Sequence, residues 1–479
     1  MKFRYLIGIV GVGLLMGIAS VLAETYVSGE VFGTWNASGN PYIVEGDLSI
    51  PFDKTLRINA GVVVYFQGND SLSVYGRLIV GGTYHDPVLF APDAENFDGW
   101  KGVFFKRNAM NDSEIEYASI SGSFIGIDVD RCDVDVRYSD INVVYRGLVL
   151  IEADGNYLSN TIQCHYLLVT GIYLLKSNAK LINNTIDTYG TYSYPSYGIN
   201  ADYCANAVIE GNLIRVDGDG PQYGIRISNC SGLKIKYNLV ESLSDSSSIG
   251  IHCVNSPYPE IRNNTVVTVS LSANKGISCV NAHPFITNNI LVDNGEANSF
   301  GISCNSSNPT VSYNDIWNYN IPYAGCHPGE HDIYEDPLFA GGTPYDYHLQ
   351  SNSPCIDSGN PNYLDPDGTR SDMGAFYFDQ TSVPQSQVAS IPAHHRLDAN
   401  FPNPFNSETV IPFAIGQRSH VVIDIYNIIG QRIARLLEGE FDVGEHSVSW
   451  SAGYLPSGIY LCRMQAGGDT FHRKIFLLK

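Results

Sequence analysis

Between residues 126 and 302 a Gly followed by Ile or Leu recurs at near-regular intervals, at Gly126, Gly147, Gly171, Gly198, Gly224, Gly250, Gly276 and Gly301. The intervals are 21, 24, 27, 26, 26, 26 and 25 residues, so the chain repeats itself. A second track runs in phase, with Asn160, Asn184, Asn212, Asn238, Asn264, Asn289 and Asn314 each preceding a short β-branched or aliphatic segment. A fixed period of this kind means stacked supersecondary units that bury a core only together. In residues 276–300 the unit reads as short alternating segments separated by Asn, Pro and Gly, with no sustained apolar period of 3.6. Helical repeats with periods of about 33 to 47 residues need two amphipathic helices per unit, and no segment here could supply one. Each repeat is therefore a coil of two or three strands, Ile inward and Asn laddered at a turn. Ile225, Ile251, Ile277 and Ile302 are expected in one buried row.

The repeats resemble the right-handed parallel β-helix family, whose motif is Gly-Ile, a short turn, then Asn-x-Ile. The resemblance covers roughly residues 40–350 and includes the lead-in segments beginning at Tyr42, Leu56 and Leu72. It implies an all-β solenoid over 24–350, with a closing coil and linker at 351–396.

The two ends speak to export. Met1 to Ala23 combines Lys2 and Arg4, an apolar run from Leu6 to Leu22, and small residues before Glu24, which together read as a cleaved signal peptide. The run is short of the roughly 20 apolar residues that a membrane span needs, and no transmembrane segment is expected in the mature chain. From Leu397 the pattern becomes a small immunoglobulin-like β-sandwich of alternating strands. Residues 397–479 resemble the type A C-terminal sorting domain of the type IX secretion system. The motifs that carry the likeness contain Asn400, Pro402, Asn403, Pro404, Phe405, Gly430, Gly458, Tyr460, Lys474 and Lys479. The resemblance implies that the type IX secretion machinery reads this domain, leaving the passenger secreted or at the cell surface.

Charge excludes one class of partner. Residues 24–396 hold 19 basic against 41 acidic side chains, close to −22 of the chain's −21. Such a passenger repels nucleic acid and anionic lipid, and it counts against a lyase groove for polyuronates, which needs a positive lining around its calcium.

The ten cysteines do not read as a disulfide framework. Cys253, Cys279 and Cys304 each fall three residues after the repeat Gly. Side chains stacked about 4.8 Å apart do not suit disulfide geometry, so they read as an internal thiol ladder. Cys164, Cys204, Cys230, Cys326 and Cys355 lie at other phases, with a Cys326–Cys355 bridge left open.

Asp365, Asp367 and Asp372 surround the turn at Gly368, and hard oxygen ligands at alternate positions suit calcium. The alternative is a plain capping turn, because no Glu closes an EF-hand loop.

No catalytic constellation is legible. Glycosidases need paired carboxylates, and the galacturonase motifs Gly-His-Gly and Arg-Ile-Lys do not occur. The turns at 187–197, 216–223, 241–248 and 268–275 are expected to stack on one side of the solenoid. They bring Tyr189, Tyr192, Tyr194 and Tyr197 beside Asp217, Asp219 and Tyr223, and aromatic faces next to carboxylates suit sugar rings. With 31 tyrosines in the chain, the plain alternative is that tyrosine covers an exposed edge. The expected function is an exported glycan-binding or adhesive passenger with polysaccharide as partner. The alternatives are a polysaccharide lyase or glycoside hydrolase, and a structural surface-layer protein.

Overall fold

In the computed structural model, residues 24–380 are described apart from 97, 192, 296–297 and 343–345. In the C-terminal part the described residues are 395–397, 400, 405, 408–427, 431–441, 444–453, 455 and 458–477. The proposed signal peptide, Tyr192, Pro402, Asn403, Pro404, Gly430 and Lys479 lie outside them. The chain divides into two compact units, residues 1–379 and 380–479.

The first unit is a right-handed parallel β-solenoid of about 12 turns. Each regular coil contributes three strands to three parallel ladders, as in Val208–Glu210, Leu213–Gly218 and Gln222–Ser228. The ladders are named here by their sequence marks. The asparagine sheet follows the ladder Asn, the glycine sheet carries Gly-Ile, and a third sheet closes the triangle. Their last strands are Asp315–Trp317, Ile321–Ala324 and Thr310–Ser312 respectively.

The repeat residues take their places for steric reasons. Ile225, Ile251, Ile277 and Ile302 stand in register and fully buried, forming the expected row. At Gly198 a Cβ would lie 2.3 Å from Ile214 Cγ2 and 2.6 Å from the carbonyl oxygen of Gly224. Glycine is needed there for close approach of sheet to sheet and coil to coil. Just before each ladder Asn the backbone turns through a left-handed residue, for example Asn183 (φ 55°), Tyr237 (φ 55°) and Asn288 (φ 57°).

The buried asparagines secure that corner. Asn184 donates its backbone N–H (2.9 Å) and its Nδ2 (3.0 Å) to Asn212 Oδ1, and Nδ2 also reaches the Tyr157 carbonyl at 2.9 Å. The same pattern passes coil by coil to Asn314, which donates to Asp332 Oδ1 at 2.6 and 3.1 Å. Asp332 thus stands where the next asparagine would. Buried amides need such partners, because a buried donor left unpaired costs about 1–3 kcal/mol.

All ten cysteines are free thiols. Cys253, Cys279 and Cys304 stack in register as the ladder reading requires. The Cys326–Cys355 bridge is corrected: Cys326 extends the ladder beside Cys304, whereas the Cys355 thiol donates to Asp315 Oδ2 at 3.2 Å. The two belong to different layers of the fold. Cys204 and Cys230 form a second contact, with the Cys204 N–H donating to Cys230 Sγ at 3.3 Å.

Beyond the coils, residues 337–379 fold back over the asparagine sheet. Phe339, Leu349, Cys355 and Met373 cover Ile290, which points outward from its strand. Polar contacts fix the segment: Asn263 Nδ2 donates to the Asp372 carbonyl (2.8 Å), the Asn360 N–H to Asn288 Oδ1 (2.7 Å), and Tyr347 Oη to Glu241 Oε1 (2.6 Å).

The second unit has a three-stranded and a four-stranded antiparallel sheet sharing one core, which includes Phe405, Phe413, Ile423, Trp450, Met464 and Ile475. This suits a small β-sandwich. Asn400 donates through Nδ2 to Thr409 Oγ1 at 2.9 Å, Phe405 and Tyr460 flank Trp450, Gly458 opens a strand and Lys474 lies in the partner strand. Buried Asp424 is paired with Arg435 at 2.8 Å and Arg463 at 3.4 Å.

Candidate functional site

The expected tyrosine and carboxylate group divides over two faces. Tyr189 and Asp217 are register partners near the end of the asparagine sheet, both pointing outward. Asp217 meets Arg215 at 3.5 Å. Tyr194 lies exposed on the link to the next strand, and the Asp219 N–H donates to the Gly190 carbonyl at 3.2 Å. Tyr197 and Tyr223 sit beyond that link, on the outward side of the glycine sheet. Their rings stack with centroids 5.1 Å apart. The stacking of coils is as expected, but outward side chains on two sheets point along different normals.

On the glycine sheet the tyrosine pair joins residues absent from the expected set. Strand alternation resumes after the inward Gly-Ile pair, so the residue two places after each Gly faces out. Read along the solenoid, that column is Asp128, Val149, Tyr173, Asn200, Arg226, His252 and Ser278. Aligning the repeats into columns would have exposed it in the sequence.

Arg226 Nη1 donates to Asn200 Oδ1 at 2.9 Å and to Asp202 Oδ1 at 3.1 Å. Arg146 lies over the Tyr173 ring at 5.4 Å. The His252 ring lies 5.6 Å from that of Tyr223, and its buried Nδ1 has no hydrogen-bond partner among the described residues. Burial, reinforced by the Arg226 charge, lowers the His252 pKa to about 4, so the imidazole is neutral at physiological pH. Burial also raises the Tyr197 and Tyr173 phenols and the Asp128 carboxyl. The face thus offers aromatic planes, a guanidinium oriented by two acceptors, and a neutral imidazole.

The acidic turn is arranged differently. Asp372 accepts the N–H groups of Asp357 and Phe378 (both 2.7 Å), Asp365 accepts that of Asp372 (2.7 Å), and Asp367 accepts the Thr369 N–H (3.0 Å) and hydroxyl (2.7 Å). Burial raises the Asp365 carboxyl and takes that of Asp372 to about 7. Among the described residues no three His, Cys, Asp or Glu side chains are grouped to hold a metal. These carboxylates face backbone donors, as in a capping turn. Asp365 and Asp372 also border a cavity of about 550 Å³ between the closing segment and Asn183, Tyr237 and Asn263.

Comparison with known proteins supports both units. The family described as "Right handed beta helix region" matches residues 102–281, and "Secretion system C-terminal sorting domain" matches residues 399–478. The chain is a right-handed parallel β-helix protein with a C-terminal type IX sorting domain, a domain that marks proteins as secreted or attached to the cell surface. No curated protein matches. Among solved structures, the periplasmic alginate epimerase AlgG is similar at 14% identity over 61% of this chain and 75% of that one, with a TM-score of 0.38. Tailspike protein 2 from Escherichia coli O157:H7 bacteriophage CAB120 is similar at 12% identity over 95% of this chain and 64% of that one, with a TM-score of 0.31. Such distant likenesses carry no argument about activity. Among the described residues no helix is long and apolar enough to cross a membrane.

Proposed function

We propose that the protein is an exported glycan-binding β-helix passenger, delivered by the type IX machinery after a signal peptide at residues 1–23 directs it across the inner membrane. The outward face of the glycine sheet is the binding surface. The observation that carries this reading is the stacked Tyr197–Tyr223 pair running into the Asn200–Arg226–Asp202 hydrogen bonds. Flat aromatic faces hold sugar rings, and fixed polar groups beside them select hydroxyls. Tyr189, Tyr194, Asp217 and Asp219 extend the surface around the corner.

The test is retention on immobilised polysaccharides. Tyr223→Ala is expected to weaken binding by about 0.5–1.5 kcal/mol per lost stacking contact, while circular dichroism stays that of the parent. Binding unchanged in Tyr223→Ala and in Tyr192→Ala with Tyr194→Ala would remove the proposed surface. Absence of binding to any glycan would favour a structural surface protein.

A second reading, turnover of the bound polysaccharide, is favoured by His252. Its imidazole is held neutral beside a phenol and a guanidinium, so the unpartnered Nδ1 can accept a hydrogen bond from a reacting sugar hydroxyl, although a pKa of about 4 makes it a weak base. On this reading His252→Gln abolishes product release and keeps retention. Release by neither protein rejects it.

A further inference from the structure

A different face, on another sheet from the tyrosine pair, has the form of a second site. On the outward side of the third sheet, one column reads Lys180, Val208, Lys234, Glu260, Phe285 and Thr310, and its neighbour includes Glu210, Lys236 and Arg262. Four cations therefore share this stretch with two carboxylates, on a passenger that is strongly acidic overall. Lys236 is paired with Glu210 at 3.1 Å and Arg262 with Glu260 at 2.9 Å. Both carboxylates are thereby engaged, and Lys180 and Lys234 form no ion pair among the described residues.

Lys234 opens onto a cleft of about 470 Å³ bordered by Tyr258, Glu260, Phe285, Thr310 and Tyr363. Its floor holds the exposed rings of Tyr258 and Phe285, 6.2 Å apart and 29° from parallel. The backbone is bent to put them there. Ladder register slips between Pro257 and Glu260, and Tyr258 has φ 56°. It is the one non-glycine residue inside a strand, among those described, with a left-handed backbone; the others lie at corners and links. β-Bulges that re-aim a side chain, and left-handed non-glycine residues, concentrate at functional sites. The other wall is prebuilt as well. Tyr363 is held by the Arg262 guanidinium 4.3 Å from its ring, and its loop is tied down by the Asn360 N–H on Asn288 Oδ1 at 2.7 Å.

We infer that this cleft binds an anionic sugar residue, carboxylated or sulfated, with its ring on Tyr258 and Phe285 and its acidic group at Lys234. The inference rests on the glycan reading above and adds to it a second site and a ligand charge. Neutral sugars would find the aromatic floor but nothing to select them at Lys234. The anionic sugar supplies the charge that Lys234 lacks within the fold.

The experiment is titration of the full chain with three oligosaccharide probes: a neutral β-glucan, a polyuronate and a sulfated glycan. Each is measured for the parent, Lys234→Gln, Phe285→Ala and Tyr223→Ala, at low salt and at about 0.5 M salt, where exposed charges are screened beyond roughly 4 Å. The expected result is that one or both anionic probes bind. Lys234→Gln then weakens that binding about 2- to 5-fold and removes most of its salt dependence, and Phe285→Ala weakens it roughly 2- to 10-fold. Tyr223→Ala, which lowers retention at the tyrosine surface, leaves in place the salt-sensitive part of the binding that Lys234→Gln removes. The two anionic probes separate carboxylate from sulfate as the recognised group. Anionic binding lost only in Tyr223→Ala, or preference for the neutral probe, overturns the cleft and spares the glycan reading. Binding of no probe overturns both.

Discussion

At the scale of single residues, the solenoid depends on side chains whose chemistry is used twice. Each ladder asparagine from Asn184 to Asn314 pairs its own amide and also receives two donors from the coil before it. In Asn212→Ala the Asn184 N–H and Nδ2 lose their acceptor, and with two buried donors unpaired the loss is expected to reach at least about 2 kcal/mol. A fall in the urea midpoint of the isolated solenoid unit checks it; an unchanged midpoint would mean that water replaces the amide. His252 carries a pH signature. Its folded pKa of about 4 lies below the ordinary 6.5, so between these values the unfolded chain binds more protons and stability rises with pH. The stability that His252 contributes is complete above pH 6.5 and is lost as pH falls towards 4. His252→Gln should therefore flatten the stability profile over that window, and equal acid sensitivity in parent and variant would show that the ring is solvated.

At the scale of the element, the coil explains why Cys253, Cys279 and Cys304 stay unbridged. In-register stacking sets Cys253, Cys279 and Cys304 on adjacent strands with parallel side-chain vectors, a geometry that disulfides do not adopt. The neighbouring Cys253 thiol, with burial, raises the pKa of Cys279, and a protonated thiol is a poor nucleophile. The unreduced, denatured full chain is expected to titrate ten thiols, with the native unfolding midpoint unmoved by dithiothreitol. Fewer than ten would reveal a bridge that the fold described here does not contain. The closing segment is the other element with a defined task. It covers outward apolar residues such as Ile290 that would otherwise expose a sheet face next to the last coils, and its acidic turn caps its own backbone.

At the scale of the whole molecule, two units do separate work. Removing residues 397–479 is expected to leave the passenger in the periplasm, and grafting them behind a signal-bearing reporter should carry that reporter to the surface of a type IX host. Fractionation with surface proteolysis distinguishes these fates, and undiminished surface display of the truncated chain would refute the sorting role. On the acidic passenger, the third sheet gathers Lys180, Lys234, Lys236 and Arg262 on one face.

The sequence alone determined the solenoid, because a core row and a buried amide ladder demand the same residue at the same place in every coil, and that demand is written as a period. It also determined the sorting domain, whose motifs are local and ordered. The proposed binding surfaces were only partly legible. Tyr197 and Tyr223 stood out as aromatics, but their company of Asn200, Arg226 and His252 follows from which side chains turn outward after the Gly-Ile pair. The expected group around Tyr189 and Asp217 was divided because linear nearness ignores the corner between two sheets. The cleft at Tyr258 and Phe285 lay beyond any reading along the chain. It needed a bulge to re-aim one ring and a segment about 100 residues downstream to supply a wall, and tertiary structure alone decides such juxtapositions.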